Sequence, residues 1–144
     1  VLAVDLLRAH QAVNSTRIFL AGESMGARTA LIAAALDERI AGVLAISAAG
    51  FNIPSAPEQQ VNDYIHSIDP DTYISRISPR PIALIHDPSD NVVPLADAQR
   101  TFDKASDPKQ FIVHKGCKHG YCPAMNSTLL EALRFLETKS NKAL

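Results

Sequence analysis

The sequence predicts an α/β fold, a mostly parallel sheet of about four strands with flanking helices. Three observations predict it. Four short runs, Ile18–Ala21, Ile40–Ser47, Pro81–His86 and Lys109–His114, have strand length and are largely apolar, with β-branched residues in each. Helical segments separate them, so strands and helices alternate as in βαβ units joined by right-handed crossovers. The 144 residues, 47% hydrophobic and 20% charged, have the size and composition of one globular domain.

Val1–Val13 opens the chain as a helix, because Leu2, Leu6, Ala9 and Val13 recur at helical spacing. Asn14, Ser15 and Thr16 end it as a turn cluster. The first strand follows. Gly22–Gly26 is then a glycine-bounded corner, and Ala27–Leu36 is a largely buried helix whose polar members are Arg28 and Thr29. After the second strand, Gly50–Pro70 is irregular, broken by Pro54, Pro57 and Pro70, and holds one short helix around Glu58–Ile65. The third strand leads through the loop Asp87–Pro94 into a helix over Leu95–Ala105. The fourth leads through the loop Lys115–Pro123 into an amphipathic helix, Ser127–Thr138, capped by Asn126 or Ser127. Residues 1–144 form a single domain without internal repeats.

Charge excludes some partners. Lys and Arg number 14 against 15 Asp and Glu, a net −1, so neither nucleic acid nor an anionic membrane surface is an expected partner. The longest nearly apolar stretch, Ile40–Phe51, is too short for a membrane span. Two cysteines are too few for a disulfide scaffold.

The chemistry is carried by Gly22-Glu23-Ser24-Met25-Gly26, a G-x-S-x-G pattern between a strand and a helix. Such a sharp turn projects the Ser24 hydroxyl into a cleft at the carboxyl edge of the sheet. Side chains at positions 22 and 26 are expected to collide with the neighbouring strand and helix, hence glycines there. The backbone N–H of Met25 is then aimed at a developing oxyanion, reinforced by the helix N-terminus. No G-x-G-x-x-G or Gly-Lys-Ser/Thr pattern supports a phosphate loop instead. A serine needs a base, and the base an orienting acid, in the chain order Ser, Asp, His. Asp90 follows the third strand and His119 the fourth. Both fall at the sheet edge where open α/β sheets place their sites.

On these residues the chain resembles the α/β-hydrolase superfamily. Ile18–Gly26 is similar to its nucleophile elbow, Arg80–Pro94 to its acid-bearing strand and loop, and Lys118-His119-Gly120 to its Gly-His-Gly turn. The resemblance implies a serine hydrolase of the esterase or peptidase kind. Ser24 is its nucleophile, His119 its base and Asp90 its acid, and its substrate is a small molecule with a carboxylic ester or related acyl bond. It implies no cofactor and no metal. Asp87 stands where that family has glycine and is a rival acid; the Val92-Val93-Pro94 register favours Asp90. Lys118 replaces a common glycine before the histidine. The strands that precede the elbow in that family, and the loop supplying a second oxyanion donor, have no counterpart here. The resemblance therefore covers the C-terminal half of the fold, an N-terminally truncated domain. The Ser24 strand keeps one unpaired apolar edge, open to self-association. The alternative function is a non-catalytic hydrolase-like fragment or binding domain acting through a partner.

Other residues invite rival readings. His114, Cys117, His119 and Cys122 suggest zinc, but H-x2-C-x-H-x2-C is not a usual zinc spacing. Two free buried thiols are the expected state, with a Cys117–Cys122 disulfide across the His119 loop as the alternative. His10 and His66 are expected at the surface, and His86 as a hydrogen-bonded core residue. Glu23 is either a solvated turn acid or a group that tunes His119. Met25 and Phe51 are expected as pocket walls.

Overall fold

The computed structural model describes residues 2–140. Four strands lie side by side in chain order, β1 (Phe19–Glu23), β2 (Gly42–Ile46), β3 (Ile82–His86) and β4 (Lys109–Val113). Every pairing is parallel, with Phe19 opposite Gly42, Val43 opposite Ile82, and Ile82 opposite Lys109. Five helices flank the sheet: α1 (Leu2–Ala9), α2 (Met25–Leu36), α3 (Gln59–Ile68), α4 (Leu95–Asp103) and α5 (Asn126–Ser140).

The pleat alternates side chains between the two faces. Val43 and Ala45 of β2, with Ile82 and Leu84 of β3, pack with Ala27, Ala30, Leu31 and Ala34 of α2 and with Ala98 and Phe102 of α4. Leu44, Ile46, Ala83 and Ile85 face the other way and pack with Met125 and with Ala132 and Leu136 of α5. Strands in sequential order joined by crossovers of one hand must place those crossovers on one face. That is why α2 and α4 share a side, while α5, followed by no strand among the described residues, covers the other.

Several elements differ from the sequence expectation. The first helix ends at Ala9, because the Ala12 N–H turns back to His10 Nδ1 at 3.2 Å instead of continuing the ladder; Val1 lies outside the described residues. Val4 of that helix faces the core, whereas Leu2 and Leu6 are exposed. β1 runs on to Glu23 and is only half-buried, because it has one neighbour among the described residues while β2 and β3 have two. α3 extends to Ile68 and buries no side chain. Two short 3-10 turns, Pro70–Thr72 and Ile74–Ile77, then follow in a stretch to which the sequence assigns no element, and Ile74 and Ile77 join the α2 side of the core. The last helix already includes Asn126, whose side chain accepts from the Tyr121 hydroxyl at 2.7 Å rather than capping it. Among the described residues no helix is long and apolar enough to cross a membrane.

The two glycines of the corner are not equivalent. A Cβ on Gly22 would lie 2.5–2.7 Å from the backbone of Gly26 and Ala27, so strand and helix can meet only over a bare Cα. A Cβ on Gly26 would meet nothing within 4 Å, contrary to the expected collision, because no described element lies over it. Gly22→Ala should therefore destabilise the domain by about 1–3 kcal/mol through overpacking. Gly26→Ala, in the first turn of α2, should be neutral or stabilising by up to about 1 kcal/mol. Urea unfolding of the two variants beside the parent chain measures the contrast; equal losses would contradict it.

Candidate active site

Each strand ends at the same edge of the sheet in a residue of the candidate site. Ser24 follows β1, Ser47 follows β2, Asp87 and Asp90 follow β3, and the His119 loop follows β4. Ser24 lies at φ 50°, ψ −118°, in left-handed space that a non-glycine residue seldom occupies. Its N–H donates to the Ile46 carbonyl at 2.9 Å, and its carbonyl accepts the Arg28 N–H at 3.2 Å, so the corner is fastened to β2 and to α2. Met25 behind it is largely exposed rather than walling a pocket. Phe51, also expected as a wall, is half-buried beneath the Arg28 guanidinium, 4.4 Å from the ring centroid.

The loop after β3 is built around two carboxylates. Asp90 Oδ1 accepts the N–H groups of Val92 and Val93, both at 2.9 Å. His119 Nδ1 lies 3.0 and 2.9 Å from the two Asp90 oxygens. Burial opposes the Asp90 charge, but the Val93 N–H, the His119 ring and the Val92 N–H outweigh it and hold the carboxyl below its usual range. An ionised carboxylate can only accept, so His119 Nδ1 donates to it, and in the neutral ring Nε2 then carries the lone pair. His86 is fully buried, with Nε2 2.9 Å from the Val93 carbonyl, which closes this loop from beneath.

Asp87 does different work. Its side chain is fully buried. Oδ2 accepts three consecutive N–H groups, from Gly116 at 2.7 Å, Cys117 at 2.7 Å and Lys118 at 2.8 Å, while Oδ1 accepts from Ser89 at 2.7 Å. Burial raises its pKa, yet these four donors together pull it down to about 2. Asp87 thus anchors the segment before His119, and Asp90 alone of the two is hydrogen-bonded to the imidazole.

The loop then crosses the end of the sheet toward β1. The Gly120 N–H donates to Ser47 Oγ at 2.9 Å, and the Tyr121 N–H to Glu23 Oε2 at 2.9 Å. β4 and β1 are three strand spacings apart, roughly 14 Å. The residues after the histidine therefore reach the end of β1 only because the loop returns over β3, β2 and β1 in turn. Lys118 adopts φ 58°, the left-handed geometry for which glycine is better suited at that place.

Cys117 and Cys122 are joined in a disulfide, not the two free thiols expected, and they bracket His119. The loop's return brings their Cα atoms to 5.4 Å, within disulfide reach. The sulfurs are bonded to each other and are not thiolate ligands. His114 instead has Nδ1 2.9 Å from Thr128 Oγ1. His10 and His66 are exposed, as expected. Sequence reasoning missed Ser47 and Tyr121. The small-residue run Ser47-Ala48-Ala49-Gly50 at a strand end was the available sign that another segment passes close by.

No protein-family model matches the chain. The uncharacterized protein YfhR of Escherichia coli (strain K12) is 27% identical over a match covering 81% of this chain and 43% of its own length. YfhR of Salmonella typhimurium is 25% identical, covering 76% and 42%. The chain thus spans less than half the length of these curated relatives. Among solved structures, the α/β hydrolase GrgF from Penicillium sp. sh18 superposes with a TM-score of 0.75 at 20% identity, over 96% of this chain and 69% of that one. An acetyl xylan esterase from Paenibacillus sp. R4 superposes at 0.74 and 20% identity, over 94% and 49%. An esterase domain from Rhodothermus marinus superposes at 0.68 and 17% identity, over 95% and 65%. Across these superpositions, four parallel strands in sequential order with helices on both faces correspond to one part of a longer architecture, and the chain has the α/β-hydrolase fold.

Proposed function

We propose that this chain carries the catalytic residues of a serine hydrolase that cleaves a carboxylic ester or a related acyl bond. The observation that carries the proposal is the bond from His119 Nδ1 to an ionised Asp90, in a loop tied back to the Ser24 corner. Ser24 is the nucleophile, His119 the base through Nε2, and Asp90 the acid that fixes the tautomer and stabilises the imidazolium. Ser24 Oγ attacks the acyl carbon as its proton passes to Nε2. The same proton then leaves with the alcohol, and water repeats the sequence to release the acid. The Met25 N–H, first in α2 and next to Ser24, supplies one oxyanion donor. The hydrolase and esterase names of the superposed proteins support the same chemistry, with ester ahead of peptide or thioester substrates.

Ser24→Ala should remove covalent labelling by a fluorophosphonate and turnover of a p-nitrophenyl ester, and leave the circular dichroism spectrum unchanged. Retention of a substantial fraction of turnover would rule out Ser24 as nucleophile. Asp90→Asn should lower the rate on the order of 10³–10⁴-fold, as expected when the imidazole loses its orienting acid. Adding either Asp90→Asn or His119→Ala to Ser24→Ala should change little more, since these groups act as a unit.

Asp87→Asn should behave differently from Asp90→Asn. An amide cannot accept all four N–H groups, so this variant should lose on the order of 3 kcal/mol of stability in urea unfolding. The sign of the pH effect follows from the lowered carboxyl. Asp87 binds a proton more weakly folded than unfolded, so its contribution is complete above about pH 4 and falls away as pH drops toward 2. The parent chain should lose stability across that window, and the Asp87→Asn variant should lose less there. An equal acid slope in both chains would contradict the assignment.

A further inference from the structure

We propose that Glu23 is a positioning residue that sets the separation of Ser24 and His119 by holding the histidine loop to the end of β1. The inference rests on the hydrolase reading above and deepens it. Glu23 precedes Ser24 in the chain, and its Oε2 accepts the N–H of Tyr121, two residues beyond His119, at 2.9 Å. One side chain therefore spans the two backbone segments that carry the nucleophile and the base. Ser47, fully buried and at φ 50°, accepts the Gly120 N–H between them.

Gly120 supplies the independent sign that this contact is built into the loop. It adopts φ 84°, and a Cβ there would stand 3.2 Å from Glu23 Oε2. A side chain at 120 would strain the backbone and press on the carboxylate at once. Asp87 fixes residues 116–118 over β3, Asp90 holds His119 there, and the Cys117–Cys122 disulfide closes the loop on itself, but none of these ties it to β1. The Ser47 and Glu23 acceptors fix it, one over β2 and one over β1. Proton transfer between hydroxyl and imidazole is steep in distance, and a displacement of about 1 Å can cost up to about 100-fold in rate. Glu23 touches neither the substrate nor the imidazole in this scheme and acts through the Tyr121 backbone.

The test compares Glu23→Ala with Glu23→Gln in the full chain. The Gln carbonyl still accepts an N–H but carries no charge. Two readouts are used: the saturating rate of fluorophosphonate labelling, and the downfield NMR resonance of the His119 Nδ1 proton in ¹⁵N-histidine protein. Glu23→Ala should lower the saturating labelling rate about tenfold, leave the half-saturating probe concentration unchanged, and broaden the His119 resonance. Glu23→Gln should restore rate and resonance to within about twofold of the parent. Parent-like behaviour of Glu23→Ala in both readouts would overturn the proposal. So would a Glu23→Gln variant as impaired as Glu23→Ala, which would assign the effect to charge. A parent chain that takes no label, or labels equally as Ser24→Ala, would instead refute the hydrolase reading. The resonance, which needs no reaction, still decides the role of Glu23 in that case.

Discussion

The candidate site depends on how the N–H groups of residues 116–121 are satisfied. That segment leaves β4 and crosses the end of the sheet without forming secondary structure, so its donors have no ladder to enter. Buried donors left unpaired would each cost about 1–3 kcal/mol. Three side chains from three different strand ends meet five of them: Asp87 takes three, Ser47 one and Glu23 one. The path of the loop is set by where those acceptors stand. Because β1, β2 and β3 are in parallel register, their ends lie in a row, and a loop pinned to all three must run along that row. His119, carried within it, meets Asp90, and Tyr121, two residues on, meets Glu23 at the end of β1. The Cys117–Cys122 disulfide closes the same segment covalently across the histidine.

The two carboxylates after β3 show how position divides labour between like groups. Asp87 and Asp90 are three residues apart, both buried and both held ionised. Asp87 is filled by backbone donors and has no capacity left for an imidazole. Asp90 receives two backbone donors on one oxygen and has the remainder for His119. The Asp87 carboxylate, filled by N–H donors, ties down the loop, and the Asp90 carboxylate holds the imidazole through Nδ1. The β2–β3 centre beneath them is fully buried on both faces, so these strand ends have little freedom to shift.

Much of the architecture was legible because it follows from periodicity. The apolar runs that became β2 and β3 read as buried strands, and Ala27–Leu36 as a buried helix, because burial on all sides leaves almost no polar residue in the sequence. The first strand is harder to read. Ile18–Ala21 looks as buried as the others, yet β1 is half-exposed, since apolar content does not report how many neighbours a strand has. The first helix was overextended because spacing cannot show that the His10 side chain will draw the Ala12 N–H away. Leu2 and Leu6 fit a helical stripe, but Val4 is the residue the sheet face receives.

The sequence by itself determined the strand–helix alternation, the corner at Ser24, and the placement of Asp90 and His119 after successive strands, because local patterning and chain order are one-dimensional properties. The family resemblance also singled out Lys118 as standing where glycine is usual, and the structure gives that residue a left-handed φ of 58°. Only the tertiary structure decided that Asp87 anchors the histidine loop, that Ser47 and Glu23 receive the Gly120 and Tyr121 N–H groups, and that Cys117 and Cys122 are joined. Each of these contacts links groups brought together by a backbone path across roughly 14 Å of sheet edge. That path is set by three acceptors acting together, and no spacing along the chain encodes it.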